Sequence, residues 1–233
     1  MTDGAGGGLA SFITGQLLEK NCFPIIGGHT PYTAAQWTLH NSGTGAAIAE
    51  ATTAGGGILI TCPSDDDFNI SLQSKQLWTP AEGKLVVMAA RMRVSAITGI
   101  GFSVGIGNTQ VQNFTTDFTD QVMIRKAILS ADVYGRVRGN SGTAADTAAA
   151  LGTMVNDTEI EVGLWFKLGS TAALSQGGFL YGGTFTNFTD DQRTQAFAIL
   201  TSPPSAYFTV NATGVTGTTP TMTVTAGICQ VDN

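Results

Sequence analysis

Lys84-Leu-Val-Val-Met-Ala-Ala-Arg-Met-Arg-Val94 and Glu159-Ile-Glu-Val-Gly-Leu-Trp-Phe-Lys-Leu168 decide the fold class. Each mixes an apolar run with alternation, the pattern of a long strand buried on one face against a second sheet. The same period recurs on either side. Phe68, Ile70 and Leu72 alternate with Asn69, Ser71 and Gln73, and Phe102, Val104 and Ile106 alternate with small residues. The pattern predicts strands over 58–62, 68–72, 84–94, 100–106, 121–128, 131–138, 158–168, 178–181, 196–200, 207–210 and 221–231. Turn-forming Pro63-Ser-Asp-Asp-Asp67 and Pro80-Ala-Glu-Gly83 separate the early ones. Strands at this spacing fit an all-β, two-sheet antiparallel jelly-roll sandwich. The stretch 139–155, rich in Ala and Thr, reads as a long loop or one short helix around 146–151.

Residues 57–233 form the sandwich in this reading, and 1–56 an N-terminal arm and irregular lead-in. The first eight residues are Gly-rich. Phe12, Ile13, Gln16 and Leu17 recur at helical spacing and predict a short helix over 9–18, weakened by Gly15. Pro24, Gly27-Gly28, Pro31 and Gly43 break anything longer.

Composition excludes several function classes. Charged residues are 12% of 233 positions, hydrophobic residues 42%, and the net charge is -6. Phosphate binding needs clustered Lys and Arg, so nucleic acid is not an expected partner. The nearest approach to a basic patch, Arg125-Lys126 with Arg136 and Arg138, reads as a solvated strand face. No run reaches the ~18 apolar residues of a membrane helix, and 1–8 lacks the basic start of a signal peptide. The sequons at Asn69, Asn113, Asn156, Asn187 and Asn211 are therefore discounted. Cys22, Cys62 and Cys229 are an odd count with no C-x-x-C pair, which reads as reduced buried thiols.

The candidate sites are mostly set aside, leaving no catalytic, cofactor-binding or metal residues expected. His29 and His40 lie in the irregular lead-in, and no Gly-x-Ser-x-Gly elbow is expected to pose a serine. The glycines at 99, 101, 105 and 107 lack the Lys-Ser/Thr ending of a phosphate loop and read as strand glycine. Glu159 and Glu161 stand two apart, at roughly 6.5 to 7 Å between Cα atoms, a spacing that suits a sandwich glycosidase. Such enzymes need a third acid further along, where Gly163-Leu164-Trp165 offers none, so a solvated strand face is the better account. Asp65-Asp66-Asp67 with Asn69, Asp117 with Asp120, and Asp190-Asp191 concentrate oxygen ligands but lack calcium-loop spacing. Trp37, Trp78, Trp165, Tyr134, Tyr181 and Tyr207 could supply a sugar-stacking platform, against the default of buried anchors.

Lys84 to Ser95, followed by Phe102-Ser-Val-Gly-Ile-Gly107, resembles a pattern of tailed-bacteriophage structural proteins. There a long strand ends in a basic-hydrophobic-basic triplet beside a Phe-x-x-Gly-hydrophobic strand. Asp120-Gln-Val-Met-Ile124, Asn156-Asp157-Thr158 and Thr221-Met-Thr-Val224 continue it, over roughly 57–231. The resemblance is to capsid decoration (cement) proteins with a lectin-like jelly roll. It implies a non-enzymatic virion protein, made in the host cytoplasm, that binds the outside of the phage head and stabilises the shell. Its partner would be the major capsid protein, and its form a homo-oligomer, with a trimer favoured. The alternative is a carbohydrate-binding, lectin-like module of a phage fibre or adhesin. A β-sandwich glycoside hydrolase is the third reading.

Overall fold

The structure, a computed structural model, describes residues 22–26, 37–41, 44–51, 57–62, 64, 69–74, 81–108, 119–201, 207–213 and 217–231. Sixteen strands lie among them: β1 (Cys22–Ile26), β2 (Trp37–Asn41), β3 (Ala47–Glu50), β4 (Ile58–Thr61), β5 (Asn69–Ser74), β6 (Leu85–Val94), β7 (Gly101–Gly107), β8 (Gln121–Lys126), β9 (Asp132–Arg138), β10 (Ala145–Asp146), β11 (Gly152–Thr153), β12 (Ile160–Lys167), β13 (Gln176–Tyr181), β14 (Thr184–Asn187), β15 (Tyr207–Thr213) and β16 (Thr221–Val231). One α-helix, α1 (Asp190–Thr201), joins them.

The strands form two antiparallel sheets packed as a jelly-roll sandwich. The first runs β14-β13-β12-β6-β16-β4-β3, and the second β10-β9-β8-β7-β15-β5-β2. The two long alternating stretches are central partners: β6 and β12 pair from Ile160↔Met92 to Lys167↔Leu85. On its other side β6 pairs β16 from Met222↔Val94 to Val231↔Leu85. β4 pairs β16 up to Val224, and β1 continues that edge from Ala226. β10 and β11 both lie against β9.

Alternation decides which residues meet between the sheets. Val86, Met88, Met92, Leu164, Phe166 and Phe179 of the first sheet share one core with Leu72, Phe102, Val104, Ile124 and Val137 of the second. Each such side chain, once removed from water, contributes about 1.5–3 kcal/mol. At Gly135 the sheets come too close for any side chain: a Cβ there would lie 2.3 Å from the Phe179 ring. That contact fixes which residues of β9 face inward.

The structure differs from the sequence reading in four places. The predicted strand over 196–200 is part of α1. Thr189 and Gln192 form a capping box: the Gln192 N–H donates to Thr189 Oγ1 (3.3 Å), and the Thr189 N–H donates to Gln192 Oε1 (3.0 Å). Asp190 and Asp191 follow in the first turn, where the helix dipole favours acids. Gln192, Ala196 and Ile199 are buried at helical spacing, a period of four and three that overrides the β reading. The segment 139–155 holds β10 and β11 rather than a helix. The lead-in 1–56 supplies β1, β2 and β3, so paired backbone extends N-terminal of residue 57; these strands are short and flanked by Gly and Pro. Lys126, read as part of a solvated face, is fully buried. It continues the inward phase of Val122 and Ile124, and its ammonium donates to the carbonyls of Ile97, Ile100 and Ala127. The predicted helix over 9–18 lies outside the described residues.

Candidate functional site: the outer face of the second sheet

With the inward residues of each strand fixed by the core, the outward ones follow from register. Tyr134 pairs Arg125, Arg125 pairs Ser103, Ser103 pairs Asn211, and Asn211 pairs Ser71. The next row runs Arg136, Met123, Gly105, Thr209 and Gln73. A third begins Arg138, Gln121, Gly107. At the usual ~4.8 Å between strands, five strands make a face roughly 19 Å across.

This outward face is polar and yet withdrawn from water. Ser71 and Gln73 are 0% exposed, Ser103 2% and Gln121 5%. Polar groups leave water at a cost unless partnered. Ser71 Oγ finds no hydrogen-bond partner among the described residues. The outer face of the first sheet has a different character. There Val87, Gly163, Gly178 and Leu180 are buried, and Trp165 lies over Gly178.

Charge gathers at the β8–β9 margin. Arg136 holds Asp146 of β10 through two bonds, Nε to Oδ1 at 2.6 Å and Nη2 to Oδ2 at 2.8 Å. Arg125 Nη1 stands 3.9 Å from the same carboxylate, beyond hydrogen-bond reach, and Arg125 Nε is buried without a partner. Burial first, then the charge of Arg136, holds the Arg125 guanidinium below its ordinary range, against the pull of Asp146 and Tyr134. At the lower rim Asp120 is buried. Its carboxylate accepts from the Asn140 N–H (2.6 Å) and Asn108 Nδ2 (2.7 Å). Burial pushes this carboxyl up, while Asn140, Thr119 and Arg138 draw it back. Asn140 and Ser141 both take left-handed backbone in the turn so anchored.

Glu159 is exposed ahead of β12, and Glu161 sits on β12 in register with Arg91 of the first sheet. Neither acid is on the polar face. Of the aromatics, Tyr134 stands half-buried on the polar face, Tyr181 is in the core, and Trp165 is on the opposite sheet. The side chains of Trp37, His40 and Tyr207, and all of His29, Trp78, 65–67 and Asp117, lie outside the described residues. Among the described residues no three His, Cys, Asp or Glu side chains gather to hold a metal. Gly101, Gly105 and Gly107 are strand glycines of β7, while Gly99 lies in the bend before it; a Cβ on Gly105 would lie 2.3 Å from the Val122 carbonyl. Gly101-Phe-Ser-Val-Gly105 fits Gly-x-Ser-x-Gly but lies wholly within β7, so Ser103 is not posed on a strand-to-helix elbow. Sequence reasoning missed Arg125 and Ser103 as residues of one polar face. The alternation of Gln121, Met123 and Arg125 against Val122 and Ile124 was the signal that could have found it.

No protein-family model matches the chain, and no curated protein matches it by sequence. Solved structures do. The Emp47p carbohydrate recognition domain is 13% identical, with 88% of this chain and 92% of that chain covered at a TM-score of 0.57. A Bacteroides ovatus mixed-linkage glucan GH16 protein, solved with a G4G4G3G product, is 7% identical, with 87% and 97% covered at 0.56. An endo-1,3-β-glucanase from Streptomyces sioyaensis is 14% identical, with 85% and 91% covered at 0.53. At these identities the likeness is one of fold, a lectin-like β-sandwich. It corrects one expectation: the chain was read as non-enzymatic, and its fold is shared with glucanases. These similar structures are carbohydrate-handling proteins, and nothing in them speaks to a phage capsid.

Proposed function

We propose that the chain binds carbohydrate on the outer face of its second sheet. One observation carries this reading: Arg125, Arg136, Asp146 and Tyr134 present guanidinium, carboxylate and phenol groups together at the solvent-accessible β8–β9 margin of the outward face, above the buried Ser71, Gln73, Ser103 and Gln121. Saccharide hydroxyls are both donors and acceptors, and such groups satisfy them in both senses. Tyr134 adds an aromatic ring with a polar tip at the same face. The likeness of fold to a carbohydrate recognition domain and to glucanases supports the reading.

A glycan-array screen followed by calorimetry on the best ligands tests it. Tyr134→Ala should weaken binding by about tenfold, or ~1.4 kcal/mol. Phe185→Ala, on the exposed edge strand of the first sheet, should leave it unchanged. Absence of binding across the array, or equal loss in both variants, contradicts the reading. A trimer on a phage head, the form implied by the sequence resemblance, is a separate proposal. Light scattering at three times 24.1 kDa would support it, and a clean monomer would count against it.

A further inference from the structure

Arg125 is a half-buried guanidinium beside Arg136, without a hydrogen-bonded acid of its own. Its side chain keeps 21% exposure, so it is reachable from the face. Asp146 is already committed to Arg136 through two short bonds. Two positive charges therefore share one negative charge at the β8–β9 margin. The other charges nearby are held by partners of their own. Arg138 adds a third cation one row along β9, and its Nε is spent on the Gly142 carbonyl at 2.7 Å. Asp132, at the start of β9, accepts from Thr153 Oγ1. Lys126 points into the core. Asp120 faces Arg138, so what sets Arg125 apart is its own guanidinium: Nε buried and unpartnered, and the carboxylate it shares lying 3.9 Å away. An uncompensated, partly desolvated cation destabilises the fold unless an incoming anion pairs with it.

We propose that Arg125, beside the Arg136–Asp146 pair, is a subsite for the acidic group of an anionic sugar, one bearing a carboxylate or a sulfate ester. The planar guanidinium fork matches either oxyanion with two parallel bonds, which a neutral hydroxyl cannot use as fully. Tyr134, paired with Arg125 in register and half-buried, places an aromatic ring and a hydroxyl beside the fork for the rest of the sugar ring. The inference rests on the proposed carbohydrate face and adds the class of saccharide it takes.

Calorimetric titration of the whole chain with short oligogalacturonates, sulfated dextran oligomers and uncharged laminarin oligomers tests it. One or both anionic series should bind more tightly than laminarin oligomers, and the preferred series identifies the acidic group. Arg125→Gln should weaken anionic binding about tenfold or more, Arg125→Lys less, and Arg93→Gln on the opposite sheet not at all. Asp146→Asn moves the other way: with one negative charge removed, anionic affinity rises severalfold. That variant keeps the proposal testable should Arg125→Gln unfold, which circular dichroism would show. Equal affinity for laminarin oligomers, or indifference to Arg125→Gln in the folded protein, overturns the acidic subsite and leaves the carbohydrate face standing. Binding of polyglutamate as tight as that of oligogalacturonate reduces the effect to bare charge and overturns the subsite. No binding by any oligomer overturns both.

Discussion

Lys126→Met separates a buried structural cation from a solvated surface one. The lysine lies on the core side of β8 with no exposed surface. Its ammonium reaches the Ile97 carbonyl, the Ile100 carbonyl at 2.6 Å and the Ala127 carbonyl at 3.0 Å. It thereby ties the turn before β7 to the end of β8. Burial pushes its pKa down from 10.5 to about 8. A folded pKa below the unfolded one means that the unfolded chain binds more proton between those values. Stability therefore rises with pH across the window from about 8 to 10.5, is fully gained above it, and is lost as pH falls through 8. A shift of that size corresponds to about 3 kcal/mol as a ceiling. The three carbonyl acceptors favour the charged form and reduce that figure. Methionine has a similar shape and does not titrate, so the two proteins differ only in this group. Cys62 and every other titrating side chain cancel in the comparison. Urea unfolding of both proteins, followed by tryptophan fluorescence at steps from pH 7 to 10, reads the difference directly. The wild type should gain on the variant by one to a few kcal/mol over the series, on the order of the ceiling above. At pH 7 the variant leaves those buried carbonyls without a donor, at about 1–3 kcal/mol, but also escapes the comparable desolvation of the charge, so the two largely offset there. Parallel stability curves, with no widening above pH 8, would refute the reasoning.

Gly105→Ala should destabilise by about 1–3 kcal/mol or more, because the new Cβ would lie 2.3 Å from the Val122 carbonyl and force β7 from β8; urea midpoints check this. Thr189→Ala removes the cap of α1 and should cost about 1 kcal/mol with the sheets intact, measured in the same way. The Cys62 thiol is buried and pushed up to about 12, so a maleimide should leave it unmodified in the native protein and label it in urea.

The fold was legible because its longest strands carry it. The alternation in Leu85–Val94 and Ile160–Lys167 survives in the burial of the central pair, and Phe102, Val104 and Ile106 do face the core. The helix was misread because Ala196 to Leu200 is short and apolar, and such a run fits either period. The Thr189-x-x-Gln192 box and the buried spacing of Gln192, Ala196 and Ile199 resolve it. Lys126 was misread because charge in sequence suggests solvent, whereas strand phase puts it with Val122 and Ile124.

The candidate face was less legible, for a physical reason. Its polar members come from strands distant in sequence: Ser71 and Gln73 from β5, Ser103 from β7, Arg125 from β8 and Tyr134 from β9. Only the pairing register brings them side by side. Each alone resembles the solvated side of an ordinary strand. What distinguishes them is low exposure on an outward face, which depends on the assembled sheet. The Arg136–Asp146 pair likewise needed β10, a two-residue strand within a segment read as a loop or a short helix.

Hydrogen exchange of the whole chain, with and without the tightest-binding oligosaccharide from the array, tests the central claim most directly. The account predicts new protection in Gln121–Lys126 and Asp132–Arg138, with Leu85–Val94 and Ile160–Lys167 unchanged. Protection confined to those two strands of the first sheet, or none at saturating ligand, would contradict it.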